Sequence, residues 1–163
     1  MGAEEFDSIV GRLDYPMFVV TTATTGGERS GCLVGFATQC SIDPARFLVC
    51  ISDKNRTCRA LEDAAAMAVH LVPERAGAIV ELFGGETGDD TDKFERADWH
   101  PGPEGLPILN DCPSWFAGRI LERVPLGDHV GHLIEPFEGE DGGEEQGWFP
   151  FQRAKQIDPG HEA

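Results

Sequence analysis

The chain has 163 residues, 40% of them hydrophobic, and its 29 acidic residues outnumber 13 basic ones to give a net charge of −16. This length and composition predict one globular domain with a full core. So negative a surface repels phosphate backbones and anionic lipids, which disfavours nucleic acid or an anionic membrane as a partner. The first residues lack the basic and apolar regions of a signal peptide, and we expect a cytoplasmic protein.

The N-terminal half is predicted to contain an amphipathic helix followed by three strands and a short second helix. Residues 4–13 place apolar side chains on one helical face, and Pro16 ends that helix. Strands are predicted over residues 17–23, 31–41 and 47–52, with turns at 25–28 and 43–44 between them. The second helix covers residues 55–64, with Asn55 or Ser52 near its start.

The C-terminal half is predicted to alternate strands, a helix and polar loops. A strand (67–72) is followed by a helix (74–83) that ends at a Gly pair, and then by a long polar loop (86–105) with one helical turn. Two strands (112–122 and 128–136), an acidic loop (138–147) and an aromatic tail that packs in part (148–163) complete the chain. Because hairpins dominate, the predicted fold is mainly β, a mostly antiparallel split β-barrel with short flanking helices.

Three parts of the chain are distinguished by composition: an N-terminal helix over residues 1–14, a main domain over 15–137, and an acidic loop and tail over 138–163. The five cysteines are odd in number and form no CxxC pair, so we expect reduced, mostly buried thiols. Clustered Cys or His ligands are not visible, and no metal site is predicted.

One segment departs from the acidic character of the chain. Between Pro44 and Leu61 there are four cations against one anion: Arg46, Lys54, Arg56 and Arg59 against Asp53. A local excess of positive charge at a helix start favours an anionic ligand, and a small phosphorylated cofactor is the natural candidate.

The same segment lies within a run that resembles the flavin reductase-like domain family. The similarity begins with TTATTGGERSGCLVGFATQCSIDPARFLVCIS and continues through ALEDAAAMAVHLV, ELFGGETGDDTDKF and GDHVGHLIEP, so that it covers roughly residues 15–136. The resemblance implies an FMN-binding split barrel, usually a homodimer, in which NADH or NADPH reduces the flavin. Many members of the family supply reduced flavin to a partner monooxygenase.

Two groups of residues are predicted to bind the flavin. The phosphate is assigned to hydroxyl, amide and cationic side chains at the helix start: Ser52, Lys54, Asn55, Arg56 and Thr57. The ring is assigned to a segment of mostly small residues whose backbone a flat ligand can approach: Gly35, Phe36, Ala37, Thr38, Gln39, Cys40 and Ser41. The alternatives are a capped helix with solvated cations and a plain core strand. Gly35 and Phe36 also replace positions that are typically polar in the family.

A covering loop and a histidine complete the predicted site. Phe83, Gly84, Lys93 and Phe94 belong to the part that resembles the family's FxG…DKF loop, with a surface ion pair as the alternative for Lys93. His129 matches the family histidine near the nicotinamide and flavin, where it orients the cofactor or stabilises charge. The alternative is a histidine satisfied by Asp128.

Three functions remain open at this point. The first is an NAD(P)H:flavin reductase that uses FMN, with FAD less favoured, through hydride transfer between stacked rings. The second is an FMN-dependent oxidoreductase with another donor or substrate. The third is a flavin carrier without catalysis, and the fold alone does not separate the three.

Overall fold

The structure is a computed structural model that describes residues 2–85, 92–144 and 147–157. Within them the α-helices are α1 (Ala3–Val10), α2 (Arg56–Leu61), α3 (Gly77–Gly85) and α4 (Phe151–Ala154), with 3-10 helices at Lys93–Glu95 and Pro103–Gly105. The strands are β1 (Phe18–Ala23), β2 (Arg29–Val34), β3 (Ala37–Ser41), β4 (Arg46–Ser52), β5 (Ala66–Leu71), β6 (Trp99–Pro101), β7 (Pro107–Leu109), β8 (Trp115–Pro125) and β9 (His129–Glu140). No helix of the described residues is both long enough and apolar enough to cross a membrane.

Seven of the strands form one antiparallel sheet, and this confirms the predicted fold class. Its order is β2-β1-β5-β8-β9-β4-β3, while β6 and β7 form a separate two-stranded hairpin. β2 and β3 follow each other in the chain yet lie at opposite ends of the order. Because only Gly35 and Phe36 separate these two strands, the two edges of the sheet lie close together, and the sheet curls back on itself.

The link between β2 and β3 corrects the prediction of one continuous strand over residues 31–41. The strand breaks at Gly35 and Phe36, where the amide of Ala37 donates to the Gly35 carbonyl at 3.2 Å and the amide of Cys50 donates to the Phe36 carbonyl at 2.8 Å. The tight turn at Gly35 ends β2, and the bond from Cys50 starts the pairing of β3 with β4.

The other differences lie in the polar regions. The prediction missed the β6–β7 hairpin because each of its strands contains a proline, Pro101 and Pro107, and these two residues pair with each other. Proline argues against a strand. β9 runs on to Glu140, into the predicted acidic loop, because it pairs with β8 as far as Trp115. Residues 86–91 of the predicted polar loop and residues 145–146 and 158–163 lie outside the described residues.

The sheet buries side chains on both faces because neighbouring positions of a strand point in opposite directions. On β1, Val19 packs into a cluster with Val80 and Phe83 of α3, while Val20 packs into another with Leu61 of α2. By contrast, α1 has no buried residue, and its predicted apolar face is exposed at Phe6, Ile9 and Leu13.

A fully buried histidine ties three strands together. Nδ1 of His70, on β5, lies 2.9 Å from the Val19 carbonyl of β1, and the Leu109 amide of β7 donates to its Nε2 at 3.1 Å. This pattern requires the neutral ring with its hydrogen on Nδ1. Burial lowers the pKa of His70 to about 4, so the ring stays neutral at pH 7.

Candidate functional site

The described residues enclose a pocket where β2, β4 and the end of α3 meet the C-terminal residues. Its volume is about 350 Å³. The lining residues are Met17, Leu33, Val34, Gly35, Phe36, Cys50, Ile51, Ser52, Asn55, Phe83, Gly84, His129, Phe151, Ala154, Lys155 and Ile157. The pocket thus brings together seven predicted site residues, namely Gly35, Phe36, Ser52, Asn55, Phe83, Gly84 and His129.

The loop after β4 is held in place by its own side chains. The side chain of Asn55 accepts a hydrogen bond from the Thr57 amide at 2.9 Å and so caps the start of α2. The Lys54 amide donates to the Ser52 hydroxyl at 3.3 Å, and the Asn55 amide donates to the Ser52 carbonyl at 3.0 Å. These bonds fix Ser52 and Asn55, the two polar side chains of this loop that line the pocket.

His129 lies beside this loop at the start of β9. It pairs with Ser52 in the β4–β9 register, and the Asp53 amide donates to the Asp128 carbonyl at 2.9 Å. Nδ1 of His129 lies 2.8 Å from a carboxylate oxygen of Asp128, and this hydrogen bond lowers the pKa of Asp128. An ionised carboxylate only accepts hydrogen bonds, so Nδ1 bears the hydrogen. The other ring nitrogen, Nε2, is not engaged by Asp128.

Phe36 stands next to His129 at the opening of the pocket. Its ring centre is 5.1 Å from that of His129, with the two planes tilted by 43°. The Phe36 side chain is 55% exposed although it is large and apolar. An exposed aromatic ring at the rim of a pocket provides a surface on which a planar ligand can pack.

The cations of the predicted phosphate loop do not line this pocket. Arg56 forms an ion pair with Glu28, and together with Arg59 it lines a second cleft on the far side of the loop. Lys54 is exposed, but it lies near enough to Asp128 to contribute to that residue's lowered pKa. Arg46, the fourth cation of the segment, forms an ion pair with Glu135 of β9. The local positive charge predicted from the sequence is therefore spread over several surfaces.

Thr57 is a core residue rather than part of the pocket lining. It is 1% exposed, and its hydroxyl lies 2.8 Å from that of Ser30 on β2. The predicted contact of Thr57 with a phosphate has no support in this placement, because the side chain points into the packed interior behind the loop.

Most of the predicted ring segment lies on the edge strand β3 instead of in the pocket. The residues concerned are Ala37, Thr38, Gln39, Cys40 and Ser41, and the middle three of them are exposed. The Gln39 side chain donates to the Ser41 carbonyl at 3.2 Å. The sequence placed residues 31–41 on one strand, and the break at Gly35 and Phe36 separates these five residues from the pocket lining.

The absence of a side chain matters at two of the glycines that line the pocket. A Cβ on Gly35 would lie 3.2 Å from the Tyr15 ring and 3.4 Å from the Met17 side chain. A Cβ on Gly84 would lie 2.7 Å from the Leu33 side chain. Both glycines therefore let neighbouring side chains pack closely behind the pocket wall.

Lys93 and Phe94 support the pocket from behind. Lys93 is 6% exposed, and its ammonium donates to the carbonyls of Phe83 at 3.1 Å and Gly31 at 3.2 Å. Phe94 packs edge-on against Phe83, with 5.7 Å between ring centres. The alternative placed Lys93 at the surface, and its burial contradicts that position; the buried cation holds the end of α3 against β2.

Sequence reasoning missed the contribution of the C-terminal residues. Phe151, Ala154, Lys155 and Ile157 line the same pocket as Gly35 and Ser52, more than 90 positions away in the chain. The aromatic residues of the tail predicted packing of this segment, but no motif or periodicity linked it to the site.

The composition of the lining is unusual for so acidic a chain. None of the sixteen described lining residues is Asp or Glu, although the chain contains 29 of them. Lys155 adds a positive charge, and most of the other lining residues are apolar. Such a pocket suits a largely apolar, planar molecule that also bears an anionic group.

Comparisons with known proteins agree with this architecture. The family model described as "Flavin reductase like domain" matches residues 10–148. The structure of nitrilotriacetate monooxygenase component B from Mycobacterium thermoresistibile superposes with a TM-score of 0.81 at 22% identity, covering 93% of this chain and 83% of that one. The fold is therefore shared well beyond the pocket.

Two relatives are similar in sequence. A protein named "Probable flavin reductase" from Rhizobium meliloti (strain 1021) is 29% identical over 135 residues, which are 80% of this chain and 42% of the relative. The FMN reductase (NADH) RutF of Methylorubrum extorquens (strain DM4) is 30% identical over 127 residues, 78% of this chain and 61% of the relative. The chain thus spans about half the length of these relatives. It belongs to the flavin reductase-like domain family.

Proposed function

We propose that this chain is an NAD(P)H-dependent flavin reductase that binds FMN in the pocket between β2, β4 and the C-terminal residues. The observation that carries the proposal is a pocket whose described lining residues include no acidic side chain, with His129 at its wall, in a chain of net charge −16. The family membership supports the same chemistry. Relatives named as FMN reductases (NADH) favour FMN over FAD and NADH as the donor, and a relative named as a flavin reductase (NADH) supports the same donor.

The lining residues fit a flavin nucleotide. Apolar side chains and the backbone of Gly35 and Phe36 suit the faces of a planar ring. The hydroxyl of Ser52 and the amide of Asn55 form a polar end of the pocket that suits the phosphate, with Lys54 on the same loop adding positive charge. We therefore assign the ring to the apolar side and the phosphate to the Ser52–Asn55 side.

A bound flavin would supply the acceptor for the hydride that leaves C4 of the nicotinamide. The chain's own contribution is to hold both ligands in place and to exclude water from between them. Asp128 fixes the ring orientation of His129 through the bond to Nδ1, so that Nε2 is available to a ligand polar group. Packing against Phe36 restricts the same ring from the other direction.

We further propose that two copies of the chain associate and that reduced flavin passes to a monooxygenase. Large apolar side chains are exposed near the pocket and on the β8–β9 ribbon, among them Phe36, Leu121, Leu126 and Phe137. A self-complementary contact between two copies would cover such surface. The similarity in fold to a monooxygenase component B supports the transfer of reduced flavin to a monooxygenase.

Nicotinamide oxidation, followed by the loss of absorbance at the reduced nicotinamide band, tests the proposal. We expect NADH oxidation by the purified chain to rise with added FMN and to saturate. Failure of both FMN and FAD to raise the rate would reject the reductase. Tightly bound FMN that no nicotinamide reduces would point instead to a flavin carrier or to an oxidoreductase with another donor.

A further inference from the structure

The C-terminal segment, residues 147–157, is built into the fold by a series of backbone hydrogen bonds. The Glu74 amide donates to the Gly147 carbonyl at 2.9 Å, and the Phe149 amide donates to the Val72 carbonyl at 2.9 Å. On the other side, the Met17 amide donates to the Phe149 carbonyl at 2.8 Å. The segment is thus held between the start of β1 and the residues after β5.

Side chains anchor the part of the segment that faces the pocket. Nε2 of the Gln152 side chain donates to the carbonyls of Gly11 at 2.9 Å and Leu13 at 2.6 Å. The Phe151 ring stacks on Tyr15, with 4.6 Å between ring centres. Tyr15 in turn occupies the space that a side chain on Gly35 would need. The C-terminal segment and the Gly35 turn are therefore parts of one packed wall.

Two cations of this segment, two positions apart, face different surroundings. Arg153 lies 3.7 Å from a carboxylate oxygen of Glu74 and 4.4 Å from the centre of the Phe149 ring. Lys155 instead lines the pocket, where its ammonium donates to the Gly11 carbonyl at 2.9 Å and lies 5.9 Å from the centre of the Phe151 ring. Only the second cation is placed to reach a pocket ligand.

We propose that Lys155 binds a phosphate group of the nucleotide that occupies the pocket. An ammonium group has three N–H donors, so two remain for a ligand after the bond to Gly11. No described residue of the lining offers a carboxylate to neutralise this charge. The inference rests on the proposed function and adds to it a binding residue that lies outside the loop assigned to the phosphate.

Two phosphates could supply this chemistry, that of FMN and the pyrophosphate of the nicotinamide dinucleotide. The test compares the full chain with its Lys155→Met variant, because Met keeps the length of the side chain and its contact with Phe151. Comparing FMN with riboflavin, which lacks the phosphate, tests the flavin phosphate. Comparing NADH with reduced nicotinamide riboside, which lacks the pyrophosphate, tests the dinucleotide. Arg153→Met is the matched control, since it removes one positive charge from the same C-terminal segment but outside the pocket.

We expect Lys155→Met to weaken FMN about fivefold with riboflavin unchanged, or to raise the KM for NADH about fivefold with that for the riboside unchanged. Either pattern supports the proposal and identifies the phosphate. Lys155→Arg should restore most of the loss, and Arg153→Met should leave all four ligands within twofold.

Equal losses for the ligands with and without phosphate would overturn the proposal, because Lys155 would then act through packing alone. Unchanged binding of all four ligands would overturn it as well. In both cases the proposed function stands, since the unaltered chain still binds FMN. A chain that binds no flavin before any substitution would instead reject the proposed function, and this inference would fall with it.

Discussion

Two regions of the molecule build the same pocket in different ways. Residues 31–57 supply the Gly35 turn, the Ser52–Asn55 loop and half of the apolar lining, whereas residues 147–157 supply one aromatic ring, two aliphatic side chains and one cation. In the first region Arg56 turns away to Glu28. In the second region Lys155 faces the ligand space. The number of charges in a stretch of sequence is therefore a poor guide to the charge inside a pocket.

Helix geometry explains why the first region loses its cations to another surface. Arg56 and Arg59 are three positions apart on α2, and residues at this spacing share one helical face. That face meets Glu28 and Asp63 in the second cleft. Asn55 caps the helix from the position before its first residue, so its side chain does not lie on that face, and it lines the pocket.

Both regions rest on the buried core of the sheet, and the pH dependence of stability tests how firmly His70 holds that core. Burial lowers the pKa of His70 to about 4, from an ordinary value of 6.5, so the unfolded chain binds a proton here more readily. The stabilisation is complete above pH 6.5 and is lost as the pH falls towards 4. We expect the contribution of His70 to the free energy of unfolding to fall by about 3 kcal/mol over this window, as measured by urea denaturation.

The His70→Gln variant is the control for this effect. It should be less stable than the unaltered chain at pH 7, because the paired bonds to Val19 and Leu109 are disturbed. Its stability should also change less between pH 7 and pH 4. Equal pH dependence in both proteins would show that His70 is not the titrating group.

The second prediction concerns catalysis within the first region. His129→Ala removes the ring that Asp128 and Phe36 hold at the pocket wall. We expect the NADH oxidation rate with saturating FMN to fall about 100-fold, while the Kd for FMN changes less than about threefold. Stopped-flow absorbance and fluorescence titration measure the two quantities.

His100→Ala is the matched control, since His100 is exposed on the β6–β7 hairpin and bonds to Asn110 outside this pocket. It should leave both quantities unchanged. A large loss of FMN affinity in His129→Ala, with little change in rate, would make His129 a structural residue.

The third and smallest prediction compares a polar side chain inside the pocket with a cation in the second cleft. Ser52→Ala removes a hydroxyl from the pocket and should weaken FMN about tenfold, as expected for a hydrogen bond to a charged group. Arg56→Met removes a full charge from the second cleft and should weaken FMN less than about twofold. The reverse order of the two effects would show that the phosphate binds on the Arg56 side.

The sequence predicted the element types well because hydrophobic patterning and turn residues are local signals. Asn55 as a helix cap and the pair of late strands needed no knowledge of distant contacts. The break at Gly35 was missed because it depends on which edge of the sheet each half of the segment joins. The β6–β7 hairpin was missed because its prolines contradict the usual strand pattern.

The part of the candidate site that local signals encode was predicted from the sequence, and the part that depends on distant contacts was not. Residues of the β4 loop, the Gly35 turn and His129 were found through local motifs and the family resemblance. The burial of Lys93 depends on two carbonyls distant in sequence, those of Gly31 and Phe83. Lys155 reaches the pocket only because Gln152 and Phe151 dock near Gly11 and Tyr15. No local pattern encodes such contacts.

The most direct test of the central claim is a crystal structure of the chain with FMN. The account predicts the flavin ring against Gly35 and Phe36, inside the pocket that Phe151 and Lys155 complete, with the phosphate towards Ser52 and Asn55. Flavin density in the second cleft beside Glu28 and Arg56, with the pocket left to solvent, would contradict it.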